Sequence, residues 1–259
     1  MNLNIHPTAV IHPDAQIGDG TSIGAFTVVE AGASIGENGQ IGSHVVIHSH
    51  THIGSGAKIH PFAVLGGAPQ HLKYAGEPTT LEIGNDVTIR ENVTCNRGTP
   101  FGHGKTVIKN RVYLMANAHV AHDCVVGNDC ILANSVNLAG HVELGDFVGI
   151  GGMSGVVQFN RVGAYSFVGG QSLLRKDLPP FMVGKGDDFH VQGVNLVGLE
   201  RRGFTPEQLK RLKKVYKIFY MQNLTVSQAI EKTVVELGKG DEVGMFLKFV
   251  EESKNGITR

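Results

Sequence analysis

In the stretch IKNRVY LMANAH VAHDCV VGNDCI LANSVN LAGHVE L, residues 108–144, an aliphatic residue opens every block of six. The run goes on without exception through Ile150, Val156, Val162 and Val168 to Leu174. Four residues after almost every opening position stands a small or β-branched residue, among them Val112, Ala118, Cys124, Cys130, Val136, Val142 and Val148. A helix repeats every ~3.6 residues and a strand alternates every two, so neither sustains a strict six. A solenoid does. Each hexad supplies a short strand with inward residues and a turn, three hexads close a triangular coil of about 18 residues, and coils stack as parallel strands about 4.8 Å apart.

Toward the N-terminus the same register holds at Ile5, Ile11, Ile17, Ile23, Val29, Ile35, Ile41, Ile47, Ile53, Ile59 and Leu65, and after a break at Ile83 and Ile89. Glycine often follows the aliphatic residue, as in Ile17-Gly18 and Val126-Gly127, where a corner needs close backbone approach. The 35 glycines of 259 residues, about twice the ordinary ~7% share, fit a chain built of corners. Two interruptions, about 66–80 (GGAPQHLKYAGEPTT) and 96–106 (NRGTPFGHGKT), are expected as loops facing substrate or a second subunit. The second lacks the spacing of a phosphate-binding P-loop.

After Leu174 the period stops, and Lys176 to Gly203 reads as an irregular connection. Thr205-Pro206 with Gln208, and Thr225 with Gln228, are N-terminal helix signatures; a third helix is expected over Glu242 to Glu252. The expected organisation is a β-solenoid over 1–190 and a helical domain over 191–259. Twenty-three Lys and Arg balance 23 Asp and Glu, which argues against a nucleic-acid binder recognised by bulk charge. The densest cationic stretch, Arg201, Arg202, Lys210, Arg211, Lys213, Lys214 and Lys217, reads either as a solvated helix face or as a docking patch for an acidic carrier or phosphates. No apolar run approaches a membrane span. The three cysteines, Cys95, Cys124 and Cys130, fall on inward positions without CxxC spacing. A soluble, cytoplasmic chain in a reducing compartment is expected, with cysteines inert in the core.

Most of the 13 histidines read as surface or interface residues. MANAHVAHDCVVG, residues 115–127, differs because His119, His122 and Asp123 cluster in the most regular part of the repeat. One coil on from His122 lies Gly140, beside His141, and one coil further Gln158. A ladder of His122, Gly140 and Gln158, flanked by His119, Asp123 and His141, is expected to line one cleft. Imidazole can take a proton from a hydroxyl, a carboxylate can orient it, and a glycine N–H can stabilise an oxyanion. That is a layout for acyl transfer without a protein nucleophile. Two other readings are a three-histidine zinc hydratase, which leaves the helical tail without a role, and a non-catalytic scaffold, which needs a flat repeated face that the outward residues do not supply.

The period resembles that of the hexapeptide-repeat acyltransferases, and the resemblance implies a left-handed parallel β-helix. HLKYAGEPT at 71–79, IRENVT at 89–94, RGT at 97–99, NAHVAHDC at 117–124, LAGHV at 138–142, GVN at 193–195 and RRGF at 201–204 are similar to the UDP-N-acetylglucosamine O-acyltransferase family, which opens lipid A synthesis, over essentially the whole chain. The resemblance implies a homotrimer with sites between neighbouring solenoids, and transfer of an R-3-hydroxyacyl group from acyl carrier protein to the sugar 3-hydroxyl. It implies no cofactor and no metal. It makes His122 the general base, Asp123 its orienting group and the Gly140 N–H the oxyanion donor. His119 and His141 would meet the sugar and acyl groups. Gln70, Lys73 and Asn195 would hold the UDP sugar, with Gln158 and His71 also on substrate. Arg201 and Arg202 would meet carrier and nucleotide phosphates, and Gly170 would leave room for a long acyl chain. Three residues depart from the family pattern: His71 stands in place of an Asp, Val157 in place of a His and Val197 in place of an acidic residue. They raise a related acceptor, a 3-amino UDP sugar acylated on nitrogen, as an alternative.

Overall fold

The computed structural model describes residues 3–259. From Asn4–Ile5 to Leu173–Leu174 nearly every hexad forms a strand of two to four residues followed by a turn. The strands form three sheets of eleven, nine and eight members, the three walls of a prism. Pairing is parallel with an eighteen-residue step, as in Val125 to Glu143 to Arg161. The opening aliphatics stack inside: Leu114, Leu132, Ile150 and Val168 are at most 1% exposed, each contributing on the order of 1.5–3 kcal/mol by burial. Ile5, Ile11 and Ile17 share the register but are partly or largely exposed, because among the described residues no coil lies beneath the first.

The corners carry the strain. Asp123, His141 and Phe159 have φ of 60°, 62° and 64°, a left-handed conformation costly for residues with a Cβ. Coil-to-coil bonds offset it: the His141 N–H donates to His122 O (3.0 Å) and the Phe159 N–H to Gly140 O (3.1 Å). The two interruptions are excursions from this lattice. Lys58 pairs with Thr88, thirty residues on, and Thr94 with His119, twenty-five on, before the eighteen-residue step resumes.

The stretch after Leu174 is more ordered than expected. Met182–Lys185 continues one wall, pairing parallel with Phe167–Val168, and His190–Val194 folds back on it antiparallel. The period is lost there because a hairpin has replaced the coil, and the hairpin straddles the division placed at residue 190. Four helices follow: α1 Leu196–Glu200, α2 Pro206–Met221, α3 Val226–Leu237 and α4 Asp241–Glu251. Thr205 and Thr225 close capping boxes with Gln208 and Gln228. Phe219 of α2 meets Phe246 of α4 edge-on at 4.8 Å. Arg211 does not belong to a free cationic face: its Nε donates to the buried Glu242 at 2.6 Å. The tail closes back on the last coil, with the Ser253 hydroxyl on the Asp177 carboxylate (2.7 Å) and the Thr258 N–H on Asp177 O (2.8 Å). No helix among the described residues is long and apolar enough to cross a membrane.

Candidate active site

His122 and Asp123 occupy one prism edge, just before the strand Val125–Val126. Asp123 takes the left-handed φ of a corner, and the second excursion covers its carboxylate so that it is wholly buried. Four donors meet it there: the Thr99 N–H (3.1 Å to each oxygen), the Thr99 hydroxyl (2.7 Å), the His103 N–H (3.0 Å) and His122 Nδ1 (2.9 Å). Burial alone would push this carboxyl up. The bonds from Thr99 and His122, with His141 nearby, outweigh it and hold the group below its ordinary range. A carboxylate only accepts, so Nδ1 of a neutral His122 carries the proton and Nε2 carries the lone pair.

Gly140 lies against that ring. A Cβ at Gly140 would stand 2.5 Å from His122 Cε1 and 2.8 Å from Nε2, so only glycine lets the backbone approach this closely. Coil pairing does not consume the Gly140 N–H: Ala139 donates to Val156 and His141 to His122 on either side of it. His141 stands edge-on to His122 at 5.2 Å between ring centroids and stacks on Phe159 at 4.5 Å. His71 meets the other side of His122 edge-on at 5.5 Å and rests on Phe101 at 5.3 Å. Burial holds both His119 and His141 below the usual imidazole value, with His122 adding to it. His119 is further fixed by the Thr94 hydroxyl at 2.7 Å.

An open cleft of about 590 Å³ runs along this wall, lined by Gln70, His119, His122, Gly140 and Gln158, with Leu138, Val156, Val157 and Leu173 as its apolar floor. Lys73 lies exposed on the loop that carries Gln70 and His71, its N–H donating to His71 Nδ1 (3.3 Å). Asn195, Arg201 and Arg202 are elsewhere. They border a cleft of about 700 Å³ on the adjacent wall, with Ile131, Gly149 and Phe167. There Asn195 caps α1 and donates to Tyr165 O (2.9 Å), and Arg202 lies over the Phe147 ring at 4.2 Å. Gly170 stands exposed at the edge between the two walls. The eighteen-residue step therefore groups His122, Gly140 and Gln158 as expected, but one chain does not bring the two arginines to them.

Sequence reasoning missed the cradle of Asp123. Thr99, His103 and Thr106, whose hydroxyl accepts the Asp123 N–H at 2.8 Å, belong to the second interruption. Gly102 belongs with them, because a Cβ there would stand 2.4 Å from the Asp123 carboxyl carbon. The signal was available: the twenty-five-residue step across that interruption sets Asp123 over Gly98, beside Thr99. His122, Asp123 and His141 hold ligand atoms within 4.8 Å of one another. Asp123 is already saturated by hydrogen bonds, so the trio serves to orient a ring better than to seat a metal. Cys124 and Cys130 are buried in the core, and burial pushes each thiol up to about 12, which makes them poor nucleophiles.

Residues 177–258 match the family model described as UDP N-acetylglucosamine O-acyltransferase, domain 2, and residues 32–67 and 105–140 match the bacterial transferase hexapeptide model of six repeats. The acyl-(acyl-carrier-protein) UDP-N-acetylglucosamine O-acyltransferase of Aquifex aeolicus is 56% identical over 257 residues, covering 99% of this chain and 98% of its own. That of Trichlorobacter lovleyi is 52% identical over 260 residues, covering 99% and 100%. Among solved structures, LpxA from Acinetobacter baumannii superposes with a TM-score of 0.96 at 39% identity, covering 98% of this chain and 99% of its own. The UDP-N-acetylglucosamine acyltransferase of Bacteroides fragilis does so with a TM-score of 0.96 at 38% identity and the same coverage.

Proposed function

The chain belongs to the UDP-N-acetylglucosamine O-acyltransferase family, with a left-handed parallel β-helix and a helical C-terminal domain, and from that premise we propose that His122 is the base of its acyl transfer. The enzyme moves an acyl group from acyl carrier protein to UDP-N-acetylglucosamine, the first step of lipid A synthesis. The observation that carries the mechanism is the His122–Asp123 bond at 2.9 Å, which leaves Nε2 as the basic nitrogen beside Gly140. The sugar 3-hydroxyl gives its proton to Nε2 as its oxygen attacks the thioester carbon of an R-3-hydroxyacyl carrier. The Gly140 N–H meets the oxyanion that forms on the thioester oxygen. Collapse breaks the carbon–sulfur bond, and the thiolate of the carrier takes the proton from the imidazolium. Gln70, His71, Lys73, His119, His141 and Gln158 hold the sugar and the acyl chain around this centre, and the exposed Gly170 leaves the chain room to run on.

The separation of the two clefts supports a homotrimer. Arg201, Arg202 and Asn195 sit on the wall next to the one that holds His122, and the edge shared by those walls bears Phe26, Phe62 and Met153, exposed by 57%, 54% and 65%. Joining chains along that edge covers the apolar ridge and sets the arginine cleft of one copy opposite the His122 cleft of the next. Carrier and nucleotide phosphates then meet the arginines across a subunit boundary, in a cytoplasmic enzyme. Competition between UDP-N-acetylglucosamine and its 3-amino analogue for one acyl carrier tests the acceptor. Preference for the hydroxyl is expected; preference for the amine would overturn O-acylation in favour of the alternative raised by His71, Val157 and Val197.

A further inference from the structure

The first excursion adds twelve residues to its coil, the difference between the thirty-residue pairing of Lys58 with Thr88 and the eighteen-residue pairing of Gln40 with Lys58. It carries Gln70 and His71. Ordering so long a segment carries a large entropic cost, so what pins it decides whether those two side chains stand ready. One residue outside the loop holds it at two places. Arg97 Nη1 donates to Gly66 O at 2.9 Å, where the loop leaves the wall. Its Nε and Nη2 both donate to the Tyr74 hydroxyl, at 3.2 and 3.0 Å, and its guanidinium lies 5.7 Å from the centre of that ring. The Tyr74 hydroxyl donates in turn to Glu77 O on the returning limb (2.7 Å), and the Tyr74 N–H donates to His71 O (3.0 Å). Arg97 thus ties the outgoing limb directly at Gly66 O, and the apex and the returning limb through the Tyr74 hydroxyl. Neither Arg97 nor Tyr74 lines the His122 cleft, whereas Gln70 does.

We infer that Arg97, acting through Tyr74, is a positioning residue for the acceptor: it holds the loop so that Gln70 and His71 stand at the His122 cleft before the UDP sugar arrives. The inference rests on reading this loop as part of the acceptor site. The fork geometry matters, because a lysine cannot bond Gly66 O and grip the Tyr74 hydroxyl from two nitrogens at once. The test is steady-state kinetics of Tyr74→Phe, Arg97→Lys and Arg97→Ala, with hydrogen exchange across 68–79. Losing hydrogen bonds to a charged group is expected to raise the acceptor KM by about 10-fold or more. Arg97→Lys should fall between the parent and Arg97→Ala. Donor KM and kcat should hold nearly constant, and exchange should quicken in the loop while coil amides stay protected. An acceptor KM unchanged in Tyr74→Phe and Arg97→Ala would overturn the inference, whatever happened to kcat or to thermal stability. The outcome is separable from the catalytic reading, since a failed base assignment would show in kcat of His122 variants and leave these acceptor KM values standing.

Discussion

Replacing Asp123 by Asn removes one charge and almost no volume, so its effect isolates what the carboxylate does. One oxygen of Asp123 accepts the Thr99 and His103 N–H groups (3.1 and 3.0 Å). The other accepts the Thr99 hydroxyl and His122 Nδ1 (2.7 and 2.9 Å) and shares the Thr99 N–H. An amide NH₂ in the first position would face two backbone donors at about 3 Å, an arrangement without a bond to make. The NH₂ therefore takes the second position, where the Thr99 hydroxyl can rotate to accept and where His122 Nδ1 must accept as well. The proton of the neutral ring then moves to Nε2, the nitrogen that should be basic. A base in the wrong tautomer, together with a lost charge beside the nascent imidazolium, is expected to lower kcat by ~10³- to 10⁴-fold, about 4–5.5 kcal/mol of barrier. Acceptor KM should move little, because Asp123 is wholly buried and does not reach the cleft surface. Transfer of radiolabelled acyl chains from the carrier at saturating acceptor reads the loss, and circular dichroism with thermal melting checks the fold. A folded Asp123→Asn enzyme within about 10-fold of parental kcat would refute the role given to the carboxylate, since general acid–base catalysis is worth more than that.

Gly140→Ala would place a Cβ 2.5 Å from His122 Cε1, so the ring must leave its position; kcat is expected to fall by ~100-fold or more with only a modest change in melting temperature, which steady-state rates and calorimetry on one preparation would separate. Stability should also fall on acidification in two stages. His119 and His141 titrate below their ordinary 6.5 in the folded state, so the unfolded chain takes up protons first and stability declines as pH drops below that value. Asp123 titrates below its ordinary 3.8, so its contribution is complete above that pH and is lost as pH falls through the folded value. Melting temperatures from pH 8 to pH 2 should decline accordingly, and Asp123→Asn should flatten the lower stage.

Coil arithmetic is reliable only where the lattice is unbroken. His122, Gly140 and Gln158 share a wall because nothing intervenes between those coils, and the inward aliphatics could be assigned for the same reason. Across the interruptions the step becomes thirty or twenty-five residues, and a reader who keeps counting by eighteens misses that Thr99 and His103 fold back over Asp123. The resemblance gives His71 a substrate role, yet its edge-on contact with His122 depends on a loop tied down by Arg97 and Tyr74, pairings without periodic signature. The hairpin at 182–194 was illegible because its strands are neither hexads nor a plain alternation, and Pro179-Pro180 with several glycines imitates an irregular connection. The placement of Arg201 and Arg202 on a different wall follows from that hairpin and from α1, beyond the last position that the period can fix.

Single-turnover acyl transfer by His122→Ala, with and without added imidazole, reaches the base directly. A folded variant slowed by at least ~10²- to 10⁴-fold, with partial recovery in imidazole that follows the concentration of the neutral form, is the expected result. Transfer at a near-parental rate, unmoved by imidazole, would contradict a proton passing through His122 Nε2.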